Sequence, residues 1–425
     1  MLRYSEVKMK VLPQKRQCEI RDRWLKYRLE NLLPQVMKET GFDMWFVVGR
    51  EYNEDPVMWS LFPSNIVGAP RITGLVMFYN AETDTVERMS LFPVGRKTFG
   101  EYFPSAWKAD QETQWECLGR LVAERNPKKI GLDYSELNGT SDGISKTLYE
   151  KTIAALGTYA DRVVSAEPLC IRWLETRTDE EMAAYYGCTQ MMDTVIESLF
   201  SSNFIHPGVT TTDDINWELR RRVHALGLKM PFWSEIDIQR ASIKTKNTRM
   251  GTAGVVVMPG DIVRCDAGLI YLGLYVDEQK DVYLLKEGET DAPAGLKKAM
   301  DDNVAFQDIV IRYFKPGKTG NQVLAESLKA AGEEGVRGVL YSHPIGLHGH
   351  AAGTNIGYWD NQSTDDPRGN VVIHDNTVYN LEMHTTTYVE EWGRDIDIGS
   401  EHMVALINGE LKFLGHRMTE YYLAK

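Results

Sequence analysis

The chain has 425 residues, more than one compact domain usually holds, and its 43% hydrophobic and 25% charged residues are the balance of a globular protein. Its 48 basic and 60 acidic residues leave a net charge of −12, which argues against nucleic-acid and anionic-membrane partners, because both are held by Lys and Arg. The five cysteines contain no C-x-x-C pair, so a disulfide framework and a thiolate zinc site are both disfavoured and a reducing, cytoplasmic setting is expected. The N-terminus has no apolar core of a signal peptide, and no apolar run approaches membrane-spanning length.

Taken in chain order, residues 19–40 place apolar side chains three and four apart and end on Gly41, the pattern of an amphipathic helix. Strands are expected at 44–48, 72–79, 86–92 and 129–133, with helices at 113–125 and 142–155. Together they make an α/β domain ending near residue 165, with 165–168 as a connector, and domains are expected at 1–168 and 169–425. A long helix follows from about 179 to 202, then helices at 211–226, 293–313 and 319–332. Stretches rich in strand formers at 254–258, 261–286 and 371–413 make the second domain α+β. Asn408-Gly409, between two apolar runs, is a two-residue hairpin signal. The sequence shows no internal repeat and no low-complexity segment.

Several polar residues sit where strands should be apolar. The stretch 261–285 reads as two strands folding back through Tyr271-Leu272-Gly273, which sets Asp266 and Asp277 roughly opposite each other. Carboxylates facing each other across a sheet repel, more so in an apolar hairpin. Either a cation offsets that repulsion, or the bend lies elsewhere and one Asp is solvated at a turn. Glu382 lies inside the strand-like run 377–388, and Glu401 just precedes another apolar run. Of the nine histidines, none precedes His206 and seven fall between His343 and His416, three of them in the Gly-rich segment 341–353. Four acidic groups on strands plus a Gly/His loop suit a divalent cation, Mn²⁺ before Zn²⁺ for so oxygen-rich a ligand set.

In this order, Asp266, Asp277, His343, Glu382 and Glu401 resemble the five-ligand dinuclear site of the pita-bread metallopeptidases (the M24 family), which include methionine aminopeptidase, prolidase and Xaa-Pro aminopeptidase. The step from Asp266 to Asp277, the glycines at 268 and 273, the step from His343 to His350 and the tail around Asn408-Gly409 all match the family pattern. The resemblance implies a pita-bread catalytic domain over roughly 175–425, preceded by a smaller α/β domain similar to the N-terminal domain of creatinase and prolidase. It implies two divalent metal ions, Mn²⁺ favoured with Co²⁺, Zn²⁺ and Fe²⁺ as alternatives. One would take Asp277, His343, Glu382 and Glu401, and the other Asp266, with Asp277 and Glu401 bridging. Glu382 would manage the proton of a metal-bridging water or hydroxide, and His350 would stabilise the tetrahedral intermediate. The implied activity is removal of the N-terminal residue from Xaa-Pro peptides, by a homodimer. His384, two residues from Glu382 on a strand, and His348, in the loop of His350, are expected to contact substrate, against structural roles for both.

The chain departs from the family at four places. Gln279-Lys280 stand where relatives commonly have Thr-Arg, Met383-His384 where Pro-Gly is frequent, and Gly399 where proline-specific members usually carry Arg. No histidine lies between His224 and Asp266, where aminopeptidases of the group place one. These departures keep open a non-peptidase enzyme on the same fold, a lyase or small-amide hydrolase; a non-catalytic binding protein ranks last because all five ligands are retained. Two rival signals are weaker: Gly139–Gly143 fits G-x-S-x-G but also a helix cap, and residues 50–56 read as an exposed polar loop.

Overall fold

The computed structural model describes residues 3–92, 97–201, 204–242 and 254–425. It divides into two compact units, Pro13–Thr178 and a larger one formed by Met1–Leu12 with Asp179–Lys425.

In the smaller unit the first helical stretch starts upstream of the expected residue 19, running Gln14–Tyr27, through a π-helical turn Arg28–Leu32, into Leu33–Thr40. It stops where Gly41 adopts φ 70°, a left-handed conformation open to glycine at little strain. Strands β1 (Met44–Arg50), β2 (Ile72–Asn80), β3 (Thr85–Ser90), β4 (Ile130–Leu132) and β5 (Val163–Ser165) form one sheet in the order β3-β2-β1-β4-β5. The β1–β2 and β2–β3 pairs are antiparallel, β1–β4 and β4–β5 parallel. Met44, Phe46 and Val48 of β1 pack with Leu118, Leu121 and Val122 of the helix Gln114–Arg125 in the core. The expected connector at 165–168 is instead the end of β5 and the start of the helix Glu167–Glu175. Pro168 is tolerated there because first-turn N–H groups have no intrahelical partner. The G-x-S-x-G segment is no nucleophile elbow: the Ser141 side chain is buried and its hydroxyl donates to the Asn138 carbonyl at 3.2 Å. Ser145 caps the helix Lys146–Leu156. In the 50–56 loop Tyr52 is exposed, but Asp55 is buried.

In the larger unit the helix Asp179–Phe200 is followed by Thr212–Ala225, Ala294–Tyr313 and Gly320–Glu333. The expected end of the first at Ser202 lies outside the described residues. Its strands are β6 (Glu235–Gln239), β7 (Ile262–Tyr271), β8 (Leu274–Leu284), β9 (Gly338–Leu340), β10 (His343–Pro344), β11 (Thr377–Val389), β12 (Arg394–Ile407), β13 (Glu410–Phe413) and β14 (Tyr422–Ala424). The sheet runs β10-β11-β12-β8-β7-β6, with β9 on β11, β13 on β12 and β14 on β8. Residues 254–258 form no strand; Val256 makes a single bridge to Thr211. Asn408 and Gly409, at φ 53° and 76°, make the expected tight turn between β12 and β13.

Two features of this sheet position the site. The β7–β8 turn consists of Leu272 and Gly273 alone, at φ 55° and 79°, so the register differs from the one expected: Asp266 faces Gln279, and Asp277 faces Gly268. The two aspartates are therefore diagonal neighbours on one face, because a two-residue turn shifts the pairing relative to a three-residue bend. In β11, Tyr379, Leu381 and Met383 pack with Phe306 and Ile309 of the helix Ala294–Tyr313, and the two-residue period turns Asn380, Glu382 and His384 the other way.

Candidate metal centre

Four central strands present one row of polar side chains. Across β7, β8, β12 and β11 the directly paired residues are Asp266, Gln279, Glu401 and Glu382. Asp277 lies two residues before Gln279 on the same strand face, and His343 on the short β10 pairs with Asn380 of β11. All five expected ligands line one cavity of about 790 Å³, together with His350, Gln279, Arg264 and Tyr341. Oxygen and nitrogen atoms of Asp277, His343 and Glu401 converge within 4.8 Å, as do those of Asp266, Glu382 and Glu401. Glu401 is common to both groups. Glu382 falls in the group with Asp266, while its Oε2 also lies 3.7 Å from His343 Nε2.

The electrostatics of this arrangement fit a bound cation. Burial, and then the neighbouring carboxylates Glu401, Asp266 and Glu382, push Asp277 well above the usual carboxylate range. Glu382 and Glu401 are raised well above it in the same way, burial first and a neighbouring carboxylate next. Asp266 is pushed up to about 7 by burial, with Arg264 opposing and Glu235 adding to it. His343 Nδ1 lies 3.0 Å from the Pro344 carbonyl, which needs a proton on Nδ1 to make a hydrogen bond. That tautomer turns the Nε2 lone pair toward carboxylate oxygens of Glu401 and Glu382 at 3.6 and 3.7 Å. A lone pair facing two acceptors is unfavourable unless a positive charge lies between them. Among the described residues, His343 Nε2 and Asp277 Oδ1 are both buried without a hydrogen-bond partner, so the residues present fit a divalent ion.

His350 packs against His343 with ring centroids 4.3 Å apart, and its pKa is lowered to about 4 by His343 and by burial. It is a neutral imidazole at pH 7. His384 and His348 are not among the residues lining the cavity; the His384 ring lies 6.3 Å from that of Tyr341, and the His348 carbonyl accepts from Gly346 N at 3.0 Å. His402 is buried on β12 beside Lys280. Lys280 itself is buried and donates to Glu278 at 2.6 Å and to the His416 carbonyl at 2.9 Å, with Asp193 at 3.1 Å, so the cation at this family position lies in a buried ionic network.

Residues that sequence reasoning missed include Arg264 and Tyr341. Arg264 is two residues before Asp266 and pairs with Asp237 of β6. The two-residue strand period already placed it on the ligand face. Tyr341 hydrogen-bonds Glu382 from the segment leading into His343. Gly399 leaves space that both Gln279 and Arg264 enter: a Cβ built there would lie 3.1 Å from Gln279 Oε1 and 3.3 Å from Arg264 Cδ and Nη1.

A row of carboxylates with one imidazole, converging in a cavity on one sheet, defines a metal-dependent enzyme centre. The sequence model of metallopeptidase family M24 matches residues 186–407, just over half of the chain. The chain belongs to this family, and it is a peptidase-type hydrolase with a pita-bread catalytic domain and a smaller N-terminal domain. Among solved structures it is similar to an X-Pro aminopeptidase from Thermotoga maritima at 16% identity and TM-score 0.64, covering 92% of this chain and 99% of that one. An Xaa-Pro dipeptidase from Bacillus anthracis gives 17% identity and 0.63, covering 92% and 98%, and a prolidase from Pyrococcus furiosus 14% and 0.55, covering 91% and 98%. No curated protein sequence matches. Among the described residues, no helix is long and apolar enough to cross a membrane.

Proposed function

We propose that the chain is a dinuclear-metal hydrolase that removes the N-terminal residue from Xaa-Pro peptides. The observation that carries this reading is the convergence of Asp266, Asp277, His343, Glu382 and Glu401 on one sheet face, with two overlapping ligand groups that share Glu401. Asp277, His343, Glu382 and Glu401 would hold one ion, and Asp266 with the shared carboxylates the other. Bound divalent ions supply Lewis acidity and make a water acidic enough to attack near neutrality. Glu382, raised in pKa by burial and by Glu401, is suited to take the attacking water's proton and pass it to the leaving amine. The neutral His350 imidazole, at the cavity wall beside His343, offers an N–H to the oxygen that gains charge as the scissile carbonyl becomes tetrahedral. The family resemblance supports Mn²⁺ as the favoured ion and a homodimer as the working form. The five cysteines, all free thiols, suit the cytoplasm.

The absence of a histidine between His224 and Asp266 favours, as a second reading, a non-peptidase hydrolase or lyase using the same metals. Mn²⁺-supplemented cleavage of Xaa-Pro dipeptides, longer Xaa-Pro peptides and proline-free controls, read by mass spectrometry, separates the two. Release of the residue before proline by the wild type and not by Glu382→Ala is the expected result. No cleavage of any peptide by the folded, metal-loaded protein would leave the non-peptidase reading.

A further inference from the structure

Gln279 occupies a position in the ligand row that composition does not explain. Its direct neighbours across the sheet are Asp266 on β7 and Glu401 on β12, so a neutral carboxamide stands between two expected ligands. Its Nε2 lies 3.1 Å from Asp266 Oδ2, 2.6 Å from Glu382 Oε1 and 3.0 Å from Glu401 Oε2. Those three carboxylates are also one of the two convergent ligand groups, so the amide nitrogen sits at the point where a cation would be shared. The two N–H bonds of the amide face three acidic acceptors, and the Oε1 is buried with no hydrogen-bond partner among the described residues.

We propose that Gln279 is a sixth, neutral ligand of the metal centre. Its amide nitrogen bridges the carboxylates when no ion is bound, and its oxygen turns to a divalent ion when one is. The inference rests on the two-metal reading above. A carboxamide can do both, since a half-turn about its last side-chain bond exchanges donor and acceptor at nearly the same place. Side-chain amide oxygens are ordinary ligands of hard divalent cations. The charge also fits. Asp266, Asp277, Glu382 and Glu401 offset two divalent ions, and a neutral ligand at 279 leaves that balance intact where a fifth carboxylate would not. Gly399 belongs to the same device, because a Cβ there would lie 3.1 Å from Gln279 Oε1 and restrict the turn.

The test is calorimetric titration of chelator-stripped, full-length protein with Mn²⁺, paired with thermal melting of the same metal-free samples, for wild type, Gln279→Ala and Gln279→Glu. The wild type should bind two ions. Gln279→Ala should keep one tight site, lose about tenfold or more at the other, and melt earlier than wild type without metal because the carboxylates lose their donor. Gln279→Glu, similar in shape but acidic, should bind Mn²⁺ at least as tightly as wild type while its metal-free form melts earliest. Two sites of unchanged affinity in Gln279→Ala would overturn the proposal. So would Gln279→Glu binding as weakly as Gln279→Ala, since Gln279 would then act only as a hydrogen-bond donor. If the wild type binds no Mn²⁺, the metal-centre reading fails on its own, separately from the role of Gln279.

Discussion

Asp277 is buried beside Glu401, Asp266 and Glu382, and each of these carboxylates makes its ionisation harder. Without a cation, such a residue opposes folding at neutral pH; with one, it is a ligand. The two effects separate in Asp277→Asn, which removes the charge and keeps the shape. Chelator-treated Asp277→Asn is expected to be about 1–2 kcal/mol more stable than chelator-treated wild type at pH 8, with Mn²⁺ affinity at least a hundredfold lower. Melting curves in chelator and Mn²⁺ titration measure both, and a less stable variant would contradict the electrostatic account. The candidate ligands stood out in the sequence because charged residues inside apolar strand runs are anomalous. Neither Arg264 nor Tyr341 stood out: Arg264 shares the strand face of Asp266, but an arginine near a strand end has many ordinary explanations, and Tyr341 lies outside the strands.

At the scale of elements, the helices and the long strands follow from apolar spacing, and the tight turn at Asn408-Gly409 from residues that accept positive φ. The β7–β8 register was misread because side-chain pattern alone does not fix turn length; Leu272, with a side chain ill-suited to φ 55°, gives no sequence signal of its place in a two-residue turn. β6 was missed because its Asp237 and Gln239 look exposed, while the fold buries Asp237 against Arg264 and lets Gln239 donate to the Asp397 carbonyl. A similar hidden pairing lies at the end of β4 in the smaller unit. Asp133, buried, accepts from Trp45 Nε1 at 2.6 Å and Cys170 Sγ at 3.3 Å, and burial lifts its pKa to about 6. Asp55 is raised well above the ordinary range by burial and by Asp133. Because the native pKa of Asp133 exceeds its ordinary 3.8, the folded state holds a proton that the unfolded chain releases. The pair is therefore most favourable below about pH 4, and its contribution is lost as pH rises through 6. Asp133→Asn retains an acceptor for Trp45 and removes the ionisation. It is expected to be roughly 2 kcal/mol more stable than wild type at pH 8 and no more stable at pH 4. Urea unfolding at the two pH values checks this; an equal difference at both would show that ionisation of Asp133 is not responsible.

Across the whole molecule, the order of the five candidate ligands along the sequence carried more information than any local stretch. Asp266 and Glu401 are far apart in sequence, yet both lie beside Gln279 because β7 and β12 flank β8. Similarity to solved structures extends over most of the chain at identities of only 14–17%. Gln279 and Gly399 share one volume with Arg264 in the folded chain, although read singly along the sequence the two looked like unrelated departures. The measurement that tests the account most directly is anomalous diffraction at the manganese edge from crystals of the Mn²⁺-loaded protein. Two peaks are expected among Asp266, Asp277, His343, Glu382 and Glu401, both in contact with Glu401. No peak in that cavity, or metal bound only elsewhere, would contradict it.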